Sequence, residues 1–129
     1  MHTPFTKIDH VQLAMPAGGE AAARQFYVGT LGMAEVAKPA ALAARDGAWF
    51  KSGRVALHLG VEADFCPARK AHPALCCHNY AALLARLRQG SIEVIEDDAI
   101  PGVRRCYVRD PFGNRLELID ASGESTSGE

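Results

Sequence analysis

The pattern of this chain performs one order of elements twice, and in 129 residues that repetition leaves few folds open. A duplicated unit cannot bury its apolar face alone, so the two copies must share a core. In the first half, residues 7–15 alternate well enough to predict a strand, which Pro16, Gly18 and Gly19 break. Residues 20–31 carry helix formers, with Ala23, Phe26, Tyr27 and Leu31 spaced along one face and Gly32 as the stop. A short strand at 34–36 follows, and the Ala-rich stretch after Pro39 reads either way. Strands at 48–51 and 55–61 then flank a turn at Ser52-Gly53.

Residues 62–71, with Asp64, Pro67, Arg69 and Lys70, interrupt the pattern and connect the halves. After them the order returns. Residues 72–77 predict a strand that Pro73 interrupts or confines to an edge. Asn79 is the expected N-cap of a helix over 80–88, with Leu83, Leu84 and Leu87 as its buried stripe. Gln89-Gly90 ends it. Strands are expected at 92–95, 103–108 and 115–119, the last two joined by the turn Pro111-Phe112-Gly113-Asn114. The reading is an α+β single domain over 1–121, with modules at about 7–62 and 71–120. The tail from Ala121 is small and polar, and 122–129 is expected to be disordered.

Composition removes several function classes. A formal net charge of −1 offers no electrostatic case for nucleic acid or an anionic membrane. No apolar run has the length to cross a bilayer, and the N-terminus lacks a secretory pattern, so the expected address is the cytoplasm. In that compartment Cys66, Cys76, Cys77 and Cys106 are expected to be reduced core residues. The adjacency of Cys76 and Cys77 does not suit structural zinc.

Four potential metal ligands occupy matching places in the two halves. His10 and His72 lie in the opening strands, and His58 and Glu117 in the closing ones. The separations are similar, 48 residues from His10 to His58 and 45 from His72 to Glu117. A pseudo-twofold relation between the halves would bring all four to one axis, and imidazoles with a carboxylate suit a borderline divalent metal. Taken singly, each is an ordinary scaffold or surface residue; the repeat-equivalent placement raises the set above coincidence. His78, at a helix start, and His2, at the terminus, are left outside it.

Three segments carry a resemblance. Ile8-Asp9-His10-Val11, Gln25-Phe26-Tyr27 followed by Leu31-Gly32, and Asp110-Pro111-Phe112-Gly113-Asn114-Arg115-Leu116-Glu117-Leu118 are similar to the vicinal-oxygen-chelate superfamily. That superfamily includes glyoxalase I, the bleomycin-resistance proteins and the extradiol dioxygenases. The last segment is the most specific, and together they span about residues 7–120. The resemblance implies two βαβββ modules curled into a glyoxalase-like half-barrel around a divalent metal (Ni, Mn, Fe, Zn or Co). It implies His10, His72 and Glu117 as ligands, with His58 at the fourth position, where glyoxalase I has a carboxylate. It also implies a small-molecule substrate and a homodimer.

For a glyoxalase-like lyase or isomerase, Glu117 would be both ligand and catalytic proton carrier. Arg69, Lys70, Arg104 and Arg105 are candidate anchors for an anionic substrate, although charged loop and strand-edge residues are usually just solvated. Tyr107 stands where the extradiol dioxygenase signature has a Tyr, but residues 97–101 lack the His that precedes it. A non-catalytic drug-binding or resistance protein is the alternative, with an Fe(II) extradiol dioxygenase ranked below it. Drug-binding members usually lack the ligands that this chain keeps.

Overall fold

The computed structural model describes residues 3–123. The first module runs β1 (Val11–Met15), α1 (Glu20–Arg24) continued by π-helical Gln25–Thr30, β2 (Ala34–Val36), a 3-10 turn Ala40–Leu42, β3 (Ala48–Ser52) and β4 (Val55–Val61). The second runs β5 (Ala74–Cys77), α2 (Tyr80–Gln89), β6 (Ile95–Asp97), β7 (Arg105–Arg109) and β8 (Arg115–Asp120). Each module forms one four-stranded mixed sheet, ordered β1-β4-β3-β2 and β5-β8-β7-β6. In both, the first and last strands pair in parallel and the others are antiparallel. The expected α+β fold of two βαβββ modules is what the chain adopts.

The registers superimpose residue for residue. Gln12 lies opposite His58, which lies opposite Trp49. Ala74 lies opposite Glu117, which lies opposite Tyr107. His58 and Glu117 are therefore equivalent positions, and so are His10 and His72, each two residues before Gln12 and Ala74. Successive side chains alternate between the faces of a strand. Ala48, Phe50, Leu57 and Leu59, with Cys106, Val108, Leu116 and Leu118, enter one buried cluster with Phe26, Tyr27 and the Leu83, Leu84, Leu87 stripe of α2. Each fully buried Leu or Phe there stabilises the fold by roughly 1.5–3 kcal/mol.

The turn between β7 and β8 ties the modules together. Asp110 Oδ1 accepts from the backbone N–H groups of Phe112 and Asn114, and Oδ2 accepts from the Tyr27 hydroxyl at 2.7 Å and the Asn114 amide at 2.9 Å. The Asn114 amide also donates to the carbonyl of Ala14 in β1. Gly113 takes φ +90°, which the turn requires and other residues resist. The most specific sequence segment is thus an inter-module clamp, and it carries Glu117 three residues beyond Asn114.

Several boundaries differ from expectation for local reasons. β1 begins at Val11, opposite Leu57, although β4 itself starts two residues earlier at Val55. The first helix widens to π geometry, with Leu31 N–H bonded to the Phe26 carbonyl. Ile92 and Val94 do not form a strand; Ser91 turns at φ +60° and Ile92 N–H bonds back to Leu87, so both pack against the core beside the end of α2. Strand β6 starts at Ile95 instead. β5 starts at Ala74, since Pro73 has no N–H, though its carbonyl accepts from Glu117. Asn79 precedes α2 as expected, but in a left-handed conformation and without a side-chain cap bond. Of the four free cysteines only Cys106 is fully buried, Cys77 is half-buried, and Cys66 and Cys76 are exposed. The tail is ordered further than expected: Ala121–Gly123 forms a 3-10 turn in which Ser122 N–H bonds Asp120. His2 and residues 124–129 lie outside the described residues. Among those described, no helix is long and apolar enough to cross a membrane.

Candidate functional site

The four expected ligands stand as two pairs, one on each sheet. On the second sheet, His72 Nε2 lies 2.9 Å from Glu117 Oε1. His72 Nδ1 lies 2.7 Å from the Lys70 carbonyl oxygen, which can only accept, so Nδ1 carries a proton. In a neutral imidazole Nε2 would then present a lone pair to a carboxylate. The contact is satisfied by a proton shared between Nε2 and Oε1, or by a cation held beside both atoms. The separation also suits adjacent ligands of one ion, since two bonds of about 2.1 Å at a right angle place their donor atoms about 3 Å apart.

Glu117 is held on its other oxygen. Arg105 donates to Oε2 at 2.9 Å, to the Tyr107 hydroxyl at 2.9 Å and pairs with Asp97 at 3.1 Å. Burial is the largest single influence on Glu117 and pushes its carboxyl up. The hydrogen bonds and charges of Arg105 and His72 together outweigh it, and the group lies below the usual carboxylate range. Tyr107 packs edge-on to His72 with ring centres 5.4 Å apart.

On the first sheet, His58 is buried between two rings. It stacks on Trp49 at 3.9 Å, nearly parallel, and on His10 at 4.1 Å with a 15° tilt. Burial lowers the basicity of His58, and the neighbouring His10 lowers it further. His10 Nδ1 bonds Asp9 Oδ2 at 2.9 Å, which leaves Nε2 as its lone-pair nitrogen. Imidazole lone pairs lie in the ring plane. Two stacked rings therefore cannot both aim at one ion, and His10 must turn out of the stack to share one with His58. Its side chain is 39% exposed, so that rotation is open.

Among the described residues no three His, Cys, Asp or Glu side chains gather into a metal-holding group. Each pair nonetheless has the donor chemistry of half a site, and each sits beside a cleft. His58 lines one of about 720 Å³ and Tyr107 one of about 450 Å³. Of the expected anchors, Arg105 is committed to Glu117 and Asp97. Arg69 is an exposed loop residue, Lys70 contributes its backbone carbonyl, and Arg104 turns to the helix side, over the Tyr80 ring. Sequence reasoning missed Trp49, Asp9, Asp97 and Arg115. Only Trp49 had a readable signal, as the repeat counterpart of Tyr107.

Comparison with known proteins follows the same lines. Residues 7–118 match the family model described as Glyoxalase/Bleomycin resistance protein/Dioxygenase superfamily. A glyoxalase family protein from Bacillus anthracis is 48% identical, superimposes with TM-score 0.89 and covers 93% of this chain and 98% of its own. An antibiotic-binding protein from a Streptomyces species (23% identity, TM-score 0.67, 92% and 98% covered) shares the fold. So does a lactoylglutathione lyase from Agrobacterium tumefaciens (23%, 0.64, 92% and 96%). No curated protein matches the sequence. With the match spanning nearly every described residue, the chain belongs to the glyoxalase/bleomycin resistance protein/dioxygenase superfamily.

Proposed function

We propose that this protein is a divalent-metal-dependent enzyme acting on a small oxygenated molecule, nearest in chemistry to a glyoxalase-like lyase or isomerase. The observation that carries the reading is the His72–Glu117 contact, where an oriented Nε2 and a carboxylate oxygen stand 2.9 Å apart, a spacing that suits neighbouring ligands of one ion. His10, His58, His72 and Glu117 would hold the ion. Because the two pairs stand apart within a chain, the reading includes a homodimer in which the first-module pair of one subunit meets the second-module pair of the other. The expected cytoplasmic setting belongs to the same proposal.

When bound, a divalent ion supplies Lewis acidity, drawing electron density from two neighbouring substrate oxygens. The chain's own residues do the rest. Lys70 and Asp9 fix the tautomers of His72 and His10 by accepting from Nδ1. Arg105 keeps Glu117 ionised and fixes its orientation. The same guanidinium makes Glu117 a weak base, which favours its role as ligand. Oε1 already faces His72 Nε2, so Glu117 takes a proton there only by giving up that contact.

A second reading, a non-catalytic small-molecule binder, is favoured by the Trp49–His58–His10 stack, a flat π surface suited to a planar ligand. Elemental analysis of protein purified without a metal-affinity tag separates the two. About one equivalent of transition metal per chain, lost in His72→Ala with the fold intact, supports the enzyme. No metal as purified and none on titration transfers the case to the binding protein.

A further inference from the structure

The cleft beside Tyr107 is lined by the apolar Ile92, Ile95 and Val108 and by the cationic Arg109 and Arg115. Arg109 and Arg115 are directly opposite each other in the β7–β8 register. Like charges in that relation destabilise a sheet unless something compensates them. Among the described residues nothing does. Arg109 donates to the Gly113 carbonyl, and Arg115 lies over the Tyr107 ring at 4.0 Å without an ion pair. Arg105 on the same sheet face is paired, with Glu117 and Asp97, as is Arg88 of α2 with Glu96; Arg86 of α2, like Arg115, has no ion pair among the described residues. Glu93 also lines the cleft but reaches neither guanidinium within ion-pair distance.

We infer that this cleft is a carboxylate-binding site, with Arg115 as the anion anchor, Tyr107 as its platform and Ile92 and Ile95 as the wall for an apolar body. The guanidinium offers a planar fork to a carboxylate, and stacking on Tyr107 holds it flat before the ligand arrives. The cleft, of about 450 Å³, limits the ligand to a small molecule. Arg115 and Glu117 are two residues apart on β8, on the order of 7 Å along the strand. On the proposed metal reading, the substrate is therefore a small carboxylic acid whose carboxylate lies about 7 Å from the oxygens near Glu117. That assignment rests on the metal reading; the anion site does not.

The test uses benzoate and its neutral counterpart benzamide as probes, followed by NMR titration of the whole protein, both as purified and after chelator treatment. Charge-assisted hydrogen bonds predict benzoate binding about tenfold or more tighter than benzamide, in metal-loaded and metal-free protein alike. Arg115→Met should reduce that preference to near unity without changing metal content, and Arg115→Lys should retain part of it. Equal binding of the two probes, or Arg115→Met binding benzoate like the parent, overturns the proposal. Failure of metal analysis alone leaves it standing and removes only the substrate assignment.

Discussion

The side-chain amide of Asn114 donates to the backbone carbonyl of Ala14 at 2.8 Å, joining positions 100 residues apart. The same amide meets Asp110, so one side chain closes a network shared by both modules. Asn114→Ala should cost about 2 kcal/mol, since it leaves a half-buried carbonyl and part of a buried carboxylate unsatisfied. Urea unfolding checks this. A midpoint within error of the parent would mean that the clamp contributes nothing.

Tyr27 reports on the same network from the other side. Its phenol is fully buried; burial, and then the charge of Asp110, raise its pKa far above 10. A raised folded value means that the stabilisation is complete below the unfolded value of about 10 and is lost as pH rises beyond it. Tyr27→Phe should lose about 1–2 kcal/mol at neutral pH and flatten the alkaline limb of the stability curve. Unfolding curves from pH 8 to 11 for both proteins decide it.

His58 has the opposite sign. Its folded value lies below the ordinary 6.5, so metal-free protein should lose stability as pH falls below about 6.5, and regain it above. His58→Gln should remove that part of the acid slope. Identical slopes between pH 7 and 5 in the two proteins would show that the ring is not neutral-selecting in its stack.

Arg105 acts on Glu117 by holding it ionised. Without the guanidinium, burial is opposed only by His72, and the carboxyl must rise. In Arg105→Met the pH at which bound metal is released should therefore move upward, while the metal stoichiometry at pH 8 stays the same. Metal retention measured across a pH series gives the answer; an unmoved midpoint removes Arg105 from this role.

Gly47 has no room for a side chain. Its φ is +106°, and an added Cβ would stand 2.4 Å from the Leu59 carbonyl oxygen. Gly47→Ala combines strain with a backbone clash and should cost about 3 kcal/mol or more. Near-parental thermal stability would contradict it.

The duplicated order and the sheet strands were legible because alternation and turn residues repeat along the chain. The His10, His72, His58 and Glu117 equivalence was legible for the same reason, and the registers place the four at corresponding positions. What was not legible depended on packing. The apolar Ile92 and Val94 read as strand because nothing local reveals that Ser91 turns and sends them toward the end of α2. The commitment of Arg105 to Glu117 joins residues on different strands, as does the stack of Trp49 on His58. Neither follows from spacing alone, nor does the separation of the ligands into two pairs.

That stack gives the protein an optical reporter of its own. Trp49 is the only tryptophan in the chain, and its indole lies flat against His58. A neutral imidazole leaves indole emission largely intact, whereas an imidazolium quenches it on contact. The fluorescence of the unmodified protein therefore follows the charge on one buried ring, with no label and no background from a second fluorophore of its kind.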